Sequence, residues 1–141
     1  MSQILEFTVH TVPVPQPRHR AGFAGGKPKM FLPSGAKIHD FKSDLKKIVR
    51  EQYDGPVLAG PISLSCLFLM PRPKDMVWKK RPMPRVPHIK KPDADNLLKG
   101  LKDALKGILW RDDSQVWEVH VVKEYHAGDE SPRVEISVIE G

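Results

Sequence analysis

The stretch Lys91-Pro92-Asp93-Ala94-Asp95-Asn96-Leu97-Leu98-Lys99, followed by Arg111-Asp112-Asp113, holds the densest set of chemically capable side chains in this 141-residue chain. Asp93 and Asp95 stand two apart, so in an extended lead-in they point the same way, and Asp95 falls where a helix N-cap belongs. Lys99, four residues on, lies about one turn above Asp95 on the same helix face. A reversal at Gly107 would run Ile108-Leu109-Trp110 back along that helix and bring Asp112 and Asp113 toward its start. Carboxylates crowded in this way repel and raise one another's pKa unless a cation neutralises them. Oxygen donors without His or Cys suit Mg²⁺, with Mn²⁺ as a substitute, and not zinc. Mg²⁺ uses one or two carboxylates, keeps several waters and completes its shell with substrate phosphate. Lys99 beside it could stabilise charge developing on a phosphoryl group. Alone, Asp-x-Asp before a helix is ordinary capping and Asp-Asp an ordinary polar turn; together with the basic segments described next they describe one phosphate-handling unit.

The elements that must hold these residues can be read from periodicity. Leu5, Phe7 and Val9 alternate with polar neighbours, predicting a half-buried strand over 4–12 that Pro13, Pro15 and Pro17 end. A long basic Gly/Pro-rich loop follows from Gln16 to Ala36. Ile38, Phe41, Leu45, Ile48 and Val49 predict an amphipathic helix over 37–53, stopped at Gly55-Pro56. Ile62 to Met70 reads as a strand apolar on both faces at its end, and residues 71–92 as a second Pro-punctuated basic connection. Leu97, Leu98, Leu101 and Leu105 mark a second helix, closed at Gly107. Residues 115–125 alternate as a strand, and after the turn at Gly128-Asp129 a last strand through Val134, Ile136 and Val138 is expected to complete a hairpin with it. Trp110 and Trp117 are expected in the core, as is Cys66. The sum is an α+β fold: a single mixed or mainly antiparallel sheet with two helices, in one domain over 1–141.

Charge separates the chain into two parts. Residues 1–91 carry 17 Lys and Arg against 6 Asp and Glu, whereas 92–141 carry 6 against 11, within an overall +6. A basic front and an acidic back suit a polyanion held by one and a cation by the other. The single cysteine excludes an internal disulfide framework and a Cys-based zinc site. The longest apolar run, Cys66 to Met70, is far short of the roughly 20 residues of a membrane helix. With no signal-peptide pattern before the first strand, a soluble cytoplasmic protein is expected. Candidates for phosphate contact are Arg18, Arg20, Lys27, Lys29, Lys79, Lys80, Arg81, Arg85 and Lys91, since each neutralised phosphate releases counterions. Phe23, Phe31 and Trp78 could wedge or stack at a branch point, although burial is the plainer role for each. The six histidines show no metal-ligand spacing, and only His88 lies near the aspartates.

The segment KPDADNLLKGLKDALKGILWRDDSQVWEVHVVKEY resembles the RusA-type Holliday junction resolvases, a nuclease family common in prophages. The positions that carry the resemblance are Asp93, Asp95, Asn96, Lys99, Asp103-Ala104-Leu105, Asp112-Asp113-Ser114-Gln115-Val116 and Lys123. The match covers about a quarter of the chain; His88 to Pro92 and Pro15 to Arg20 fit the family more loosely. The resemblance implies a Mg²⁺-dependent endodeoxyribonuclease that resolves four-way junctions by paired symmetric nicks in recombination and repair. In it Asp93, Asp95 and Asp113 would bind metal, Lys99 would be catalytic, and Asp112 would be the weaker of its pair because adjacent residues face different sides. It also implies a homodimer, which a two-fold substrate independently favours. The competing reading is a non-catalytic junction or single-strand binding protein. A nucleotide-sugar transferase built on Asp-x-Asp is disfavoured by the chain's small size and basic front.

Overall fold

The computed structural model describes residues 3–16, 20–24, 27–31 and 37–141. In chain order the elements are β1 (Gln3–Val9), β2 (Arg20–Ala24), β3 (Lys27–Phe31), α1 (Lys37–Gln52), β4 (Ile62–Met70), β5 (Val86–Pro87), α2 (Ala94–Leu105), β6 (Val116–Tyr125) and β7 (Arg133–Glu140). Five strands form one mixed sheet in the order β1-β7-β4-β6-β5, and β2 and β3 pair separately. The α+β expectation is met, and both helices fall where the 3.6-residue periodicity put them.

The strand apolar on both faces takes the centre of the sheet. β4 pairs parallel with β6 on one side and antiparallel with β7 on the other. A parallel pair needs a long crossover, and the connection that carries α2 and the aspartates supplies it. The expected β6–β7 hairpin is therefore wrong: β7 inserts between β4 and β1, pairing Phe7 with Ile136 and Cys66 with Ile136 across the two ladders. Two further expectations are corrected. The first strand stops at Val9, and the segment 16–36 is not simply a loop, because it contains the β2–β3 ladder.

On one face of the sheet Phe7, Val9, Leu64, Cys66, Phe68, Val134, Ile136 and Val138 are buried. Against them α1 buries Ile38, Phe41, Leu45 and Val49, and α2 buries Leu97, Gly100, Leu101, Ala104 and Leu105. Gly100 lets the helices approach closely, since a Cβ there would stand 3.1 Å from the Ile38 Cδ1. Burial pushes the Cys66 thiol up to about 12, as expected of an inert core cysteine. The opposite face, with Glu6, Ser65, Leu67, His120, Val122, Glu135 and Ser137, lines an open depression of about 350 Å³.

Trp117 departs from its expected place. The β4–β6 register pairs Ile62 with Val116 but the next residue, Ser63, with Glu118. Trp117 is the extra residue of a β-bulge, which changes the phase of the alternation. It stands 66% exposed, while Trp110 is fully buried.

Candidate active site

The N-terminus of α2 places the first pair of carboxylates. Asp93, not Asp95, is the N-cap; it is extended (φ −71°, ψ 147°) and its side chain makes no capping hydrogen bond. Asp95 lies inside the first helical turn, where a negative charge faces the positive end of the helix dipole. Helical spacing then aligns Asp95, Leu98, Lys99 and Lys102 as one stripe. That stripe, together with Asp103 and Asp113, lines a cavity of about 290 Å³. Asp95, Lys99 and Asp113 thus share one pocket, while Asp93 stands at its helix end without lining it.

The return path that delivers Asp113 follows from local chemistry. Gly107 takes φ +85°, a left-handed conformation suited to glycine at a helix end. Its N–H donates to the Trp110 carbonyl at 2.6 Å, closing the reversal, and Leu58 N–H donates to the Leu109 carbonyl at 2.8 Å. Trp110, buried beneath, donates its indole Nε1–H to Asp113 Oδ1 at 2.9 Å. Asp112 has a different task. It caps the 3₁₀ turn Asp113–Gln115, accepting from Ser114 N–H at 2.9 Å, and that bond holds its carboxyl below the usual range.

Two side chains with no assigned chemistry hold these segments. Gln115 Oε1 accepts from Arg111 N–H and Asp112 N–H, both at 2.8 Å. Its Nε2 donates to the carbonyls of Leu58 at 2.9 Å and Gly60 at 3.0 Å. Lys123, on β6, donates through Nζ to the carbonyls of Lys90 at 2.8 Å and Pro92 at 2.5 Å, flanking the cis Lys91–Pro92 peptide. Gln115, the last residue of the turn just before β6, therefore ties down the turn bearing Asp113, and Lys123 on β6 ties down the lead-in bearing Asp93. Sequence reasoning noted Gln115 and Lys123 only as positions in a pattern; a lysine at a core-facing position of a strand was the available signal.

Oxygen donors fit a hard divalent cation, and the pocket offers Asp95 and Asp113 with Asp93, whose carboxylate makes no capping hydrogen bond, at the adjoining helix end. Among the described residues no three His, Cys, Asp or Glu side chains are grouped closely enough to hold a metal by themselves. One or two carboxylates with water and phosphate are what Mg²⁺ requires, so the residues fit an ion whose shell is completed by substrate.

The basic candidates divide. Lys79, Lys80, Arg81, Arg85 and Lys91 are exposed. Lys91 also lines a groove of about 390 Å³ with Arg72, His88, Lys90 and Tyr125. Arg85 is committed elsewhere: its guanidinium forms a bidentate pair with Glu130, which holds Glu130 at about 2. Trp78 has Arg81 over its ring at 3.8 Å and Arg72 at 5.1 Å, so both cations occupy the indole that was a candidate wedge. Arg72 also ties its loop together by donating to the carbonyls of His126 and Met76 at 2.7 and 2.9 Å and to that of Pro84. His88 is buried against Tyr125 at 4.6 Å; burial, and next the charge of Lys123, push its imidazole pKa down. Arg18 lies outside the described residues, as do the side chains of Arg20, Phe23, Lys27, Lys29 and Phe31.

Comparison with known proteins adds an independent finding. The family described as Endodeoxyribonuclease RusA matches residues 10–139 of this chain. The chain is also 33% identical over 141 residues to the uncharacterized protein YqaN of Bacillus subtilis (strain 168), covering 96% of each.

Proposed function

The chain belongs to the RusA family of endodeoxyribonucleases, and on that premise we propose that it resolves four-way DNA junctions by metal-assisted phosphodiester hydrolysis. The observation that carries this reading is the meeting of Asp95, Lys99 and Asp113 in one open pocket, although Asp113 lies on a separate turn beyond α2. Asp95 and Asp113, with Asp93 beside them, would hold Mg²⁺ or Mn²⁺. Such an ion, when bound, polarises a phosphoryl oxygen and lowers the pKa of bound water.

The chain's own groups do the positioning. Asp113 is oriented by the Trp110 indole and cannot swing freely. Lys99, one turn above Asp95, directs its ammonium charge to a non-bridging oxygen of the scissile phosphate and offsets the charge that grows there. Exposed Lys79, Lys80, Arg81 and Lys91 neutralise flanking phosphates and bring the strand to the pocket. Arg85, paired with Glu130, contributes least to that group. Two nicks at symmetric phosphates call for two sites, hence a homodimer in the working form.

The test is incubation with a synthetic four-way junction and a matched linear duplex, with Mg²⁺ or a chelator, mapping the strand breaks. Paired nicks near the crossover, dependent on metal and absent from the duplex, are expected. Tight junction binding without nicks in either Mg²⁺ or Mn²⁺ would replace this reading with the non-catalytic binding protein.

A further inference from the structure

We infer that Trp117 is a stacking platform for an unpaired nucleobase of the DNA strand that enters the Asp95–Lys99–Asp113 pocket. The inference rests on the nuclease reading and adds a base-recognition element to it. Trp117 is the one aromatic among the exposed large hydrophobic side chains of the described residues. The β-bulge that carries it takes Trp117 out of the alternation by which Val116 and Val121 pack against the core, and bulges collect beside active sites. The strand edge around it is open: β5 pairs only with Tyr125 and Glu124, at the far end of β6.

Distance supports the assignment. A 3₁₀ turn rises about 2.0 Å per residue and a strand about 3.3 Å, so the Cα atoms of Asp113 and Trp117 lie within about 10 Å. Bases on one strand repeat every 3.4 Å or so along a duplex. A base on Trp117 is therefore within about three nucleotides of the phosphate at Asp113. The other indoles have different duties, Trp110 in the core and Trp78 beneath Arg81 and Arg72. Along the strand beyond it the Glu118 and His120 side chains are 43% and 68% exposed and the small Val119 is 39% exposed, so Trp117 is a single large ring with one short apolar neighbour and two polar ones. A base offers a π-face to such a ring, whereas a protein partner favours a contiguous apolar patch. Stacking would act on bases freed at a branch point and would not act on intact duplex.

The experiment compares wild type, Trp117→Ala and Trp117→Phe for affinity to a four-way junction and to linear duplex, with metal withheld. Trp117→Ala is expected to weaken junction binding by roughly five- to a hundredfold, leaving duplex binding within twofold, and Trp117→Phe to restore most of the loss. Junction-induced quenching of tryptophan fluorescence should fall sharply in Trp117→Ala, since Trp110 is buried in the core and Trp78 already carries Arg81 over its ring. Equal junction affinity of Trp117→Ala and wild type overturns the inference. So does a drop in the sedimenting mass of Trp117→Ala, which would make the residue a contact between copies. A wild type that binds no branched DNA fails the nuclease reading first and this inference with it; a wild type that binds and cuts, matched by Trp117→Ala, fails the stacking alone.

Discussion

Replacing Gln115 with alanine isolates the device that holds the Asp112-Asp113 turn. Four hydrogen bonds go with the side chain, two accepted from exposed N–H groups of Arg111 and Asp112 and two donated to partly buried carbonyls of Leu58 and Gly60. A net hydrogen bond is worth about 0.5–1.5 kcal/mol. The exposed N–H groups can turn to water, so they fall near about 0.5 kcal/mol each, while the partly buried carbonyls cost about 1 kcal/mol each. The sum is a destabilisation of about 3 kcal/mol, read as a lower urea midpoint with an unchanged denaturant slope. Gln115→Glu divides the sum: it keeps the accepting half and loses the donating half, for a loss of about 2 kcal/mol. Asp113 then sits on a slackened turn, and Mg²⁺ affinity measured by calorimetry with substrate phosphate present should fall by about tenfold or more. A midpoint for Gln115→Ala within error of wild type, or Gln115→Glu as stable as wild type, would refute the clamp.

Three further outcomes are expected. Trp110→Phe keeps an aromatic ring in the core, though a smaller one, and removes the donor to Asp113 Oδ1, so cleavage should slow by about 10- to 100-fold while the protein stays folded by circular dichroism; an unchanged rate would show that Asp113 needs no fixed orientation. Lys123→Met frees the Lys90 and Pro92 carbonyls and should lower cleavage at saturating DNA by about tenfold, with partial rescue by arginine; a loss confined to DNA affinity would make Lys123 a phosphate contact. Glu130 is held at about 2, against an ordinary 4.5, chiefly by its hydrogen bond from Arg85 and also by Ala127 N–H and Arg133. Its folded value lies below its unfolded one, so its stabilisation is complete above the unfolded value and is lost as pH falls through about 4.5 to about 2. Melting temperatures over that range should converge for wild type and Glu130→Gln, and a constant gap would contradict the pairing.

Local pattern made much of this fold legible, and non-local pairing accounts for what was not. The helices were readable because their apolar positions repeat at helical spacing and Gly107 has a specific role at a helix end. The place of β7 was not, because adjacency in sequence favours a hairpin, whereas the doubly apolar β4 gains a partner on each side only if β7 lies between it and β1. Trp117 was misplaced because a bulge is set by the partner strand's register, which a single strand does not reveal. The same limit applied to Arg85, whose partner Glu130 lies 45 residues away. Asp95, Lys99 and Asp113 could be brought together on paper because the helix and its glycine reversal are local features. The Gln115 and Lys123 clamps could not, since each reaches across to segments remote in sequence.

Single-turnover cleavage of a four-way junction by wild type, Asp95→Asn, Asp113→Asn and the double variant bears most directly on whether these carboxylates serve one site. If they do, each single change should slow cleavage by about a thousandfold or more with junction affinity kept, and the double variant should be little worse than either. Full cleavage by Asp113→Asn, or losses that simply multiply in the double variant, would mean that the two aspartates do not act on a common phosphate.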